Sequence, residues 1–325
     1  MPAYRAPNNI SLPRLAMSGP STCSDRWNIM QTTLDCLVCF MRQALSAARL
    51  SCSSESLQRR VVEEAGRLLS RVDFARTPPE NAVALYRMIA ELTGRPDPFA
   101  DLKRQSNDFA LGLRDQVRGR IETADDPLLA AVRFAICANI IDYAAQHEFD
   151  AARTMAGCSK QDFVLDEYGA FRAAVSPGRR PQVLYLADNC GEIVFDGLLV
   201  RELQRLGCRV TLAVRGRAII NDATMEDARY CGLTDICSVI GNGTDCPGTP
   251  LADCSPEFLE YFRAADMIIS KGMGNYETLS DVRAPIFFLF TVKCSPVARH
   301  IRRSKGGPAE QLEGRGEMVL IRQEL

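Results

Sequence analysis

An apolar run, Leu184 to Ala187, stops abruptly on Asp188-Asn189, and a helical pattern opens behind it with Glu192, Ile193, Val194, Phe195, Leu198, Leu199, Val200 and Leu203. A buried strand that ends on an acid and an amide sets hard oxygen ligands beside the free N–H groups of a helix start. That combination suits a divalent cation and a phosphate held together. Asp and Asn are also ordinary turn and N-cap residues, so the segment alone admits a purely structural reading. Polar residues then recur after later apolar runs: Asn221-Asp222, the stretch Lys271-Gly272-Met273-Gly274-Asn275-Tyr276-Glu277, and Lys293-Cys294-Ser295-Pro296. Asp188, Asn189 and Asp222 offer two carboxylates and one amide oxygen, a set suited to Mg²⁺ or Mn²⁺ with positions left for water and substrate. Lys271 and Lys293 would bring positive charge to a phosphoryl group, and Gly272 and Gly274 would let backbone N–H groups approach its oxygens. Glu277 could order a sugar hydroxyl or an attacking water. Glu192 is either a substrate contact or a first-turn acid favoured by the helix dipole. Together these residues describe metal-assisted phosphoryl transfer to water, with Asp188 and Asp222 as the catalytic carboxylates.

The elements that must position them fall into two halves. From Trp27 to Ala174 the periodicity is helical: Cys36, Cys39, Phe40, Gln43, Ala44 and Ala47 share one face, and Val61, Ala65, Leu68, Leu69 and Val72 another. Ala82–Leu92 is closed by Gly94 and Pro96, and Leu128–Ala145 is a long apolar helix interrupted by Asn139 and Asp142. No strand-like alternation competes in this half. After Ser176-Pro177-Gly178-Arg179-Arg180-Pro181 the period changes. Val183–Ala187, Arg209–Val214, Cys237–Ile240, Met267–Ser270, Ile286–Phe290 and Met318–Ile321 are short apolar runs separated mostly by helical or loop stretches. Such runs build a mostly parallel sheet covered on both faces, with ligands outside the strand carboxyl ends. The expectation is an α/β protein: a flexible leader over 1–25, an all-helical domain over 26–176, and a Rossmann-like three-layer domain over 177–325 carrying the site.

With 325 residues, 46% hydrophobic and 24% charged, the chain can bury a real core. Its net charge of −1 gives no global basic field for nucleic acid, and no apolar run is long enough to span a membrane. Only His147 and His300 are present, so carboxylates, amides and lysines must carry any catalysis. The 13 cysteines are scattered and odd in number, and Met1 to Met17 has no signal-peptide core, which reads as reduced thiols in the cytoplasm. Cys36-x-x-Cys39 lacks the second pair of a structural zinc site and the βαβ context of a thioredoxin motif, so buried helix-face thiols are the simpler reading. Asn139 and Asp142 are either a satisfied core pair or residues reaching a cleft. Oligomeric state is not legible.

The set Asp188-Asn189-x-Gly191-Glu192, Asn221-Asp222, Lys271-Gly272-x-Gly274-Asn275-Tyr276-Glu277 and Lys293-Cys294 resembles the damage-control metal-dependent phosphatases. Cys36-Leu37-Val38-Cys39, the stretch Asp97-Pro98-Phe99, Lys103, Ser106-Asn107 and Asn139-Ile140-Ile141-Asp142 look like the compact prokaryotic branch of that family. The resemblance runs from about residue 30 to residue 300. It implies a helical domain joined to a Rossmann-like domain, with the metal at their junction. It assigns Asp188, Asn189 and Asp222 to the metal and the 273–277 loop and Lys293 to substrate. The implied activity is hydrolysis of phosphate esters of small metabolites, sugar phosphates or damaged phosphometabolites, with Mn²⁺, Co²⁺ or Ni²⁺ often preferred to Mg²⁺. Cys137-Ala138 departs from the small residue expected before Asn139. Related branches differ in the 271–277 loop, so the substrate itself does not carry over.

Whether water attacks phosphorus or Asp188 attacks to give an aspartyl-phosphate stays open at this level. Other classes remain alternatives: a sugar-phosphate- or nucleotide-binding regulator without turnover, or a methyltransferase. The latter is weakened by the single Gly191 in the first loop, and a dehydrogenase by the missing G-x-G-x-x-G.

Overall fold

A computed structural model describes residues 30–138, 161–176 and 178–323. Asn139, Asp142, His147 and the 1–25 leader therefore lie outside the described residues. Seven strands form one sheet: β1 (Leu165–Asp166), β2 (Gln182–Leu186), β3 (Arg209–Val214), β4 (Ser238–Gly241), β5 (Met267–Lys271), β6 (Ile286–Val292) and β7 (Glu317–Arg322), in the order β1-β7-β6-β5-β2-β3-β4. The six expected strands are all present, within a residue or two of their expected ends. β1 was not expected; two residues are too short to leave an alternation, and it is defined only by parallel pairing with β7. β2 to β6 pair in parallel and β7 runs antiparallel to β6, so the sheet is mostly parallel.

Eleven α-helices are present among the described residues. Five precede the sheet: α1 (Leu34–Ser51), α2 (Glu55–Leu69), α3 (Pro78–Thr93), α4 (Ala100–Glu122) and α5 (Pro127–Cys137). Their ends follow local chemistry. α3 opens on Thr77, whose backbone N–H donates to Glu80 at 2.8 Å, continues with Pro78 and Pro79, and stops at Gly94 in the left-handed conformation. The rest are α6 (Tyr168–Ala174), α7 (Glu192–Arg205), α8 (Met225–Tyr230), α9 (Pro256–Ala264), α10 (Met273–Leu279) and α11 (Ser295–Lys305).

Strand side chains alternate between two cores. Tyr185, Leu212, Ile269 and Leu289 point to the face covered by α4, α5 and α7; Leu186, Ala213, Ile268 and Phe288 point to the face covered by α9, α10 and α11. A third cluster joins α1, α2 and α3 and takes in Ile219 from the loop after β3. Helices α4 and α5 therefore share the sheet's core, while α1 to α3 form their own and lean over the strand ends. Ten described cysteines are free thiols, and Cys137 is disulfide-bonded, an exception to the all-reduced reading.

Candidate active site

In the strand order, β2 stands between β5 and β3, so the crossovers leave it in opposite directions and a crevice opens outside its carboxyl end. Asp188 and Asn189 follow β2 into that crevice. The loop after β3 folds back beside them: Ala223 N–H donates to the Asp188 carbonyl at 2.8 Å, Cys190 N–H to the Asn221 carbonyl at 2.8 Å, and Asn189 and Asp222 form an antiparallel bridge. This brings Asp222 against Asp188 and Asn189. The turn that delivers it holds Ile220 at φ +46°, a strained conformation for a β-branched residue. β5 approaches from the other side. A side chain at Gly272, φ +80°, would place its Cβ 1.9 Å from Asp188 Oδ2, so only glycine leaves room for that carboxylate.

Arg215, buried at the end of β3, binds the carboxylates together. Its Nε donates to Asp222 Oδ2 at 2.6 Å and its Nη2 to Asp188 Oδ1 at 3.4 Å. Its Nη1 donates to Asn275 Oδ1 at 2.9 Å and to Thr249 Oγ1 at 3.2 Å. On the other flank Lys271, 0% exposed, gives its Nζ to Glu192, to Asp196 Oδ1 at 2.8 Å and to the Ala135 carbonyl at 2.8 Å. Tyr185 Oη also donates to Asp196 Oδ1, at 2.6 Å. Asn189 links the two clusters, its Nδ2 donating to Asp188 Oδ2 at 2.9 Å and to Glu192 Oε2 at 3.2 Å. With its nitrogen committed, the amide oxygen Oδ1 is the atom left to face the crevice. Helix α4 closes the base: Asn107 accepts from Gly191 N–H at 2.7 Å and donates to Asp227 at 3.1 Å, while Lys103 pairs with Asp227 at 3.0 Å.

The crevice opens into a cavity of about 370 Å³ between the strand ends and helices α1 and α3. Asp188, Asn189, Asp222, Gly274, Glu277 and Lys293 line it. Lys293 is exposed at its rim, and its backbone N–H meets Met273 Sδ at 3.2 Å. Three residues expected to touch substrate do not line it. Lys271 and Glu192 are buried against each other beneath the crevice. Asn275 is a buried clamp whose Nδ2 donates to the Lys271 carbonyl at 2.8 Å and the Ala187 carbonyl at 3.2 Å. A larger space of about 450 Å³ sits near the amino ends of β2 and β3 and has no acid in its lining.

Several residues at the site were not anticipated. Arg215 is one of them, and its sequence signal is its place directly after the apolar run of β3. Cys36 and Cys39 of α1, and Cys294 after β6, line the cavity wall facing the carboxylates. The burial of Lys271 had a signal in strand parity, since it shares a face with the core residues Met267 and Ile269. Glu192 and Asp196 are four apart on α7 and so present two acids to that same face.

The donor set fits a divalent cation. Among the described residues no three His, Cys, Asp or Glu side chains are grouped as metal ligands, so two carboxylates and an amide oxygen are what the crevice offers. Four buried acids here, Asp188, Asp222, Glu192 and Asp196, face two buried cations, Arg215 and Lys271, which leaves two negative charges in excess when all are ionised. Burial, the neighbouring Asp222 and Glu192 hold the Asp188 carboxyl well above the usual range despite Arg215 and Lys271. Burial likewise raises Asp222, and it pushes Asp196 up to about 6.

The fold is that of the α/β damage-control phosphatases. Residues 32–307 match the model of the damage-control phosphatase ARMT1-like domain, and the chain belongs to that family. It is 34% identical over 280 residues to a damage-control phosphatase of Archaeoglobus fulgidus, covering 82% of this chain and 93% of that one. It is 32% identical over 281 residues to a damage-control phosphatase of Pyrococcus horikoshii, covering 85% and 96%. The crystal structure of a DUF89 family protein from Pyrococcus horikoshii matches with a TM-score of 0.81 at 30% identity, over 91% of this chain and 100% of that chain. Among the described residues no helix is long and apolar enough to cross a membrane.

Proposed function

We propose that this chain is a metal-dependent phosphatase acting on phosphate monoesters of small metabolites, sugar phosphates or damaged phosphometabolites. The observation that carries the reading is the convergence of Asp188, Asn189 and Asp222 from two separate strand ends on one cavity whose rim holds Lys293. Asp188, Asn189 and Asp222 would hold the cation, with Mn²⁺, Co²⁺, Ni²⁺ and Mg²⁺ as candidates. When bound, such a cation supplies charge neutralisation on the phosphoryl oxygens.

The protein's own groups do the rest. Arg215 fixes the orientation of both carboxylates by holding Oδ1 of Asp188 and Oδ2 of Asp222. Lys271 acts one layer further in, holding Glu192 so that Glu192 can hold the Asn189 amide. Lys293 faces the phosphoryl charge from the rim, and Gly274 lets α10 approach the Pro247 carbonyl, which a Cβ there would meet at 1.9 Å. Asp188 has partners on both oxygens, from Arg215 and Asn189, which favours water over Asp188 as the attacking group.

The test is phosphate release from a panel of sugar phosphates and nucleotides with each metal in turn, using Asp222→Ala as the control. Metal-dependent release above that control is expected; its absence across the panel would count decisively against an enzyme and for a phosphate-binding regulator. A single turnover of phosphorus-32-labelled substrate quenched in acid should leave no label on the protein, whereas a phosphoryl group trapped on Asp188 would move attack to that carboxylate.

A further inference from the structure

Helix α10 turns Met273, Gly274 and Glu277 to the cavity and buries Asn275, Tyr276 and Leu279. Glu277 differs from every other acid at the site. Asp188 and Asp222 are within ion-pair distance of Arg215, and Glu192 and Asp196 of Lys271. Glu277 makes no ion pair among the described residues, and no hydrogen-bond donor fixes it there. Cys39 and Cys294 are close enough to feel its charge, and it shares the cavity lining with Asp35, Cys36 and Gln43 of α1, Lys293 after β6, Met273 and Pro296. Burial, with Glu277 adding to it, pushes the Cys294 thiol up to about 12 and raises Cys39 as well, so both stay protonated at neutral pH. Burial alone pushes Glu277 up to about 8. A carboxyl in an apolar pocket, across a cavity from carboxylates braced by a cation, is the pattern in which environment divides acid from ligand.

We propose that Glu277 is the general acid of the reaction, a catalytic residue that donates its proton to the leaving-group oxygen of the ester. This rests on the phosphatase reading above. As the bond from phosphorus to the leaving oxygen breaks, that oxygen takes the Glu277 proton and departs as a neutral alcohol. The attacking water leaves its oxygen and one hydrogen on phosphorus, and its second proton returns Glu277 to the acid form. The step needs no oxidant or co-reactant. It also states a substrate class: esters of alcohols, whose alkoxides are poor leaving groups and need the proton, in preference to aryl esters or acyl phosphates, which do not.

The experiment compares wild type with Glu277→Gln on two substrates, an alkyl monoester such as glycerol phosphate and p-nitrophenyl phosphate. The loss on the alkyl ester should exceed the loss on the aryl ester by about 100-fold or more, the scale of general-acid catalysis. Wild-type turnover of the alkyl ester should also fall on the alkaline side as Glu277 ionises, a limb missing with the aryl ester. Equal losses on both esters, or no loss on either, would overturn the assignment. A second measurement is independent of turnover: in the infrared difference between metal-free wild type and Glu277→Gln at neutral pH, one protonated-carboxyl component should be lost, since the raised Asp188 and Asp222 carboxyls contribute equally to both. If wild type hydrolyses neither ester with any metal, the phosphatase reading has failed, and that difference still decides whether Glu277 holds a proton. No lost component in the variant would overturn the proposal.

Discussion

The two walls of the cavity are built on opposite electrostatic plans. On the strand-end wall two shared cations bridge four acids: Arg215 spans Asp188 and Asp222, and Lys271 holds Glu192 and Asp196, all out of solvent. The facing wall, from α1, α3 and α10, carries mostly thiols, prolines and Phe40, with Gln43, Asp35 (paired outward with Arg299) and Glu277 among them and Lys293 at the edge. A network of mutually satisfied ions is stiff, because moving any member strands a buried charge, and this suits groups whose positions must be fixed before a cation arrives. An acid among apolar neighbours keeps its proton and can give it up, and this suits a group that must change state during the reaction. The two lysines that follow strands make the same point. One is structural cement and the other faces the solvent side of the cavity, though both stand at the end of an apolar run.

The contrast can be broken at either wall. The largest effect is expected from Asp188→Asn, which keeps the shape of the first wall but removes one of its charges. Metal-dependent phosphate release should fall by about 1,000-fold or more, and calorimetric titration should show metal binding weakened in parallel. A protein that binds metal as before would show that Asp188 is not a ligand. Next comes Lys271→Met, which strands two buried acids and should lower unfolding stability by about 3–5 kcal/mol. Lys293→Met, in the same urea series, should shift stability by less than about 0.5 kcal/mol while raising KM. Equal stability losses would erase the distinction between the two lysines.

Gly272→Ala tests the tolerance of the stiff wall. The added methyl would meet Asp188 Oδ2 at 1.9 Å, so the carboxylate must shift. A displacement on the order of 1 Å should lower turnover by about 100-fold, with the fold retained by circular dichroism. Unchanged turnover would show that the carboxylate's position is not critical.

The last prediction concerns pH. Glu277, ordinarily near 4.5, is pushed up to about 8 in the folded protein, which thus keeps a proton that the unfolded chain releases over that window. Stability contributed by this group is therefore lost as pH rises from the lower value through the upper one. Melting curves of metal-free Glu277→Gln should accordingly show a shallower decline over that window than wild type. Parallel curves would mean that Glu277 titrates in the ordinary carboxylate range.

Local pattern in the sequence determined which segments are strands and which helices, because burial on both sheet faces writes long apolar runs and helix faces write a 3.6-residue period. It also determined which oxygen-bearing residues stand at strand carboxyl ends, since Asp188 and Asn189 follow β2 directly. Tertiary structure alone decided the partners. Asp222 reaches the crevice because a loop folds back with Ile220 in a strained turn, and that fold sets it beside Asp188 where Arg215 donates to both. Lys271 became a core residue by strand parity, and Cys36 and Cys39 became cavity wall because α1 leans over the strand ends. Sequence spacing measures distance along one element. Charge pairing and desolvation depend on which elements meet, and those two effects separate the ligands from the acid at this site.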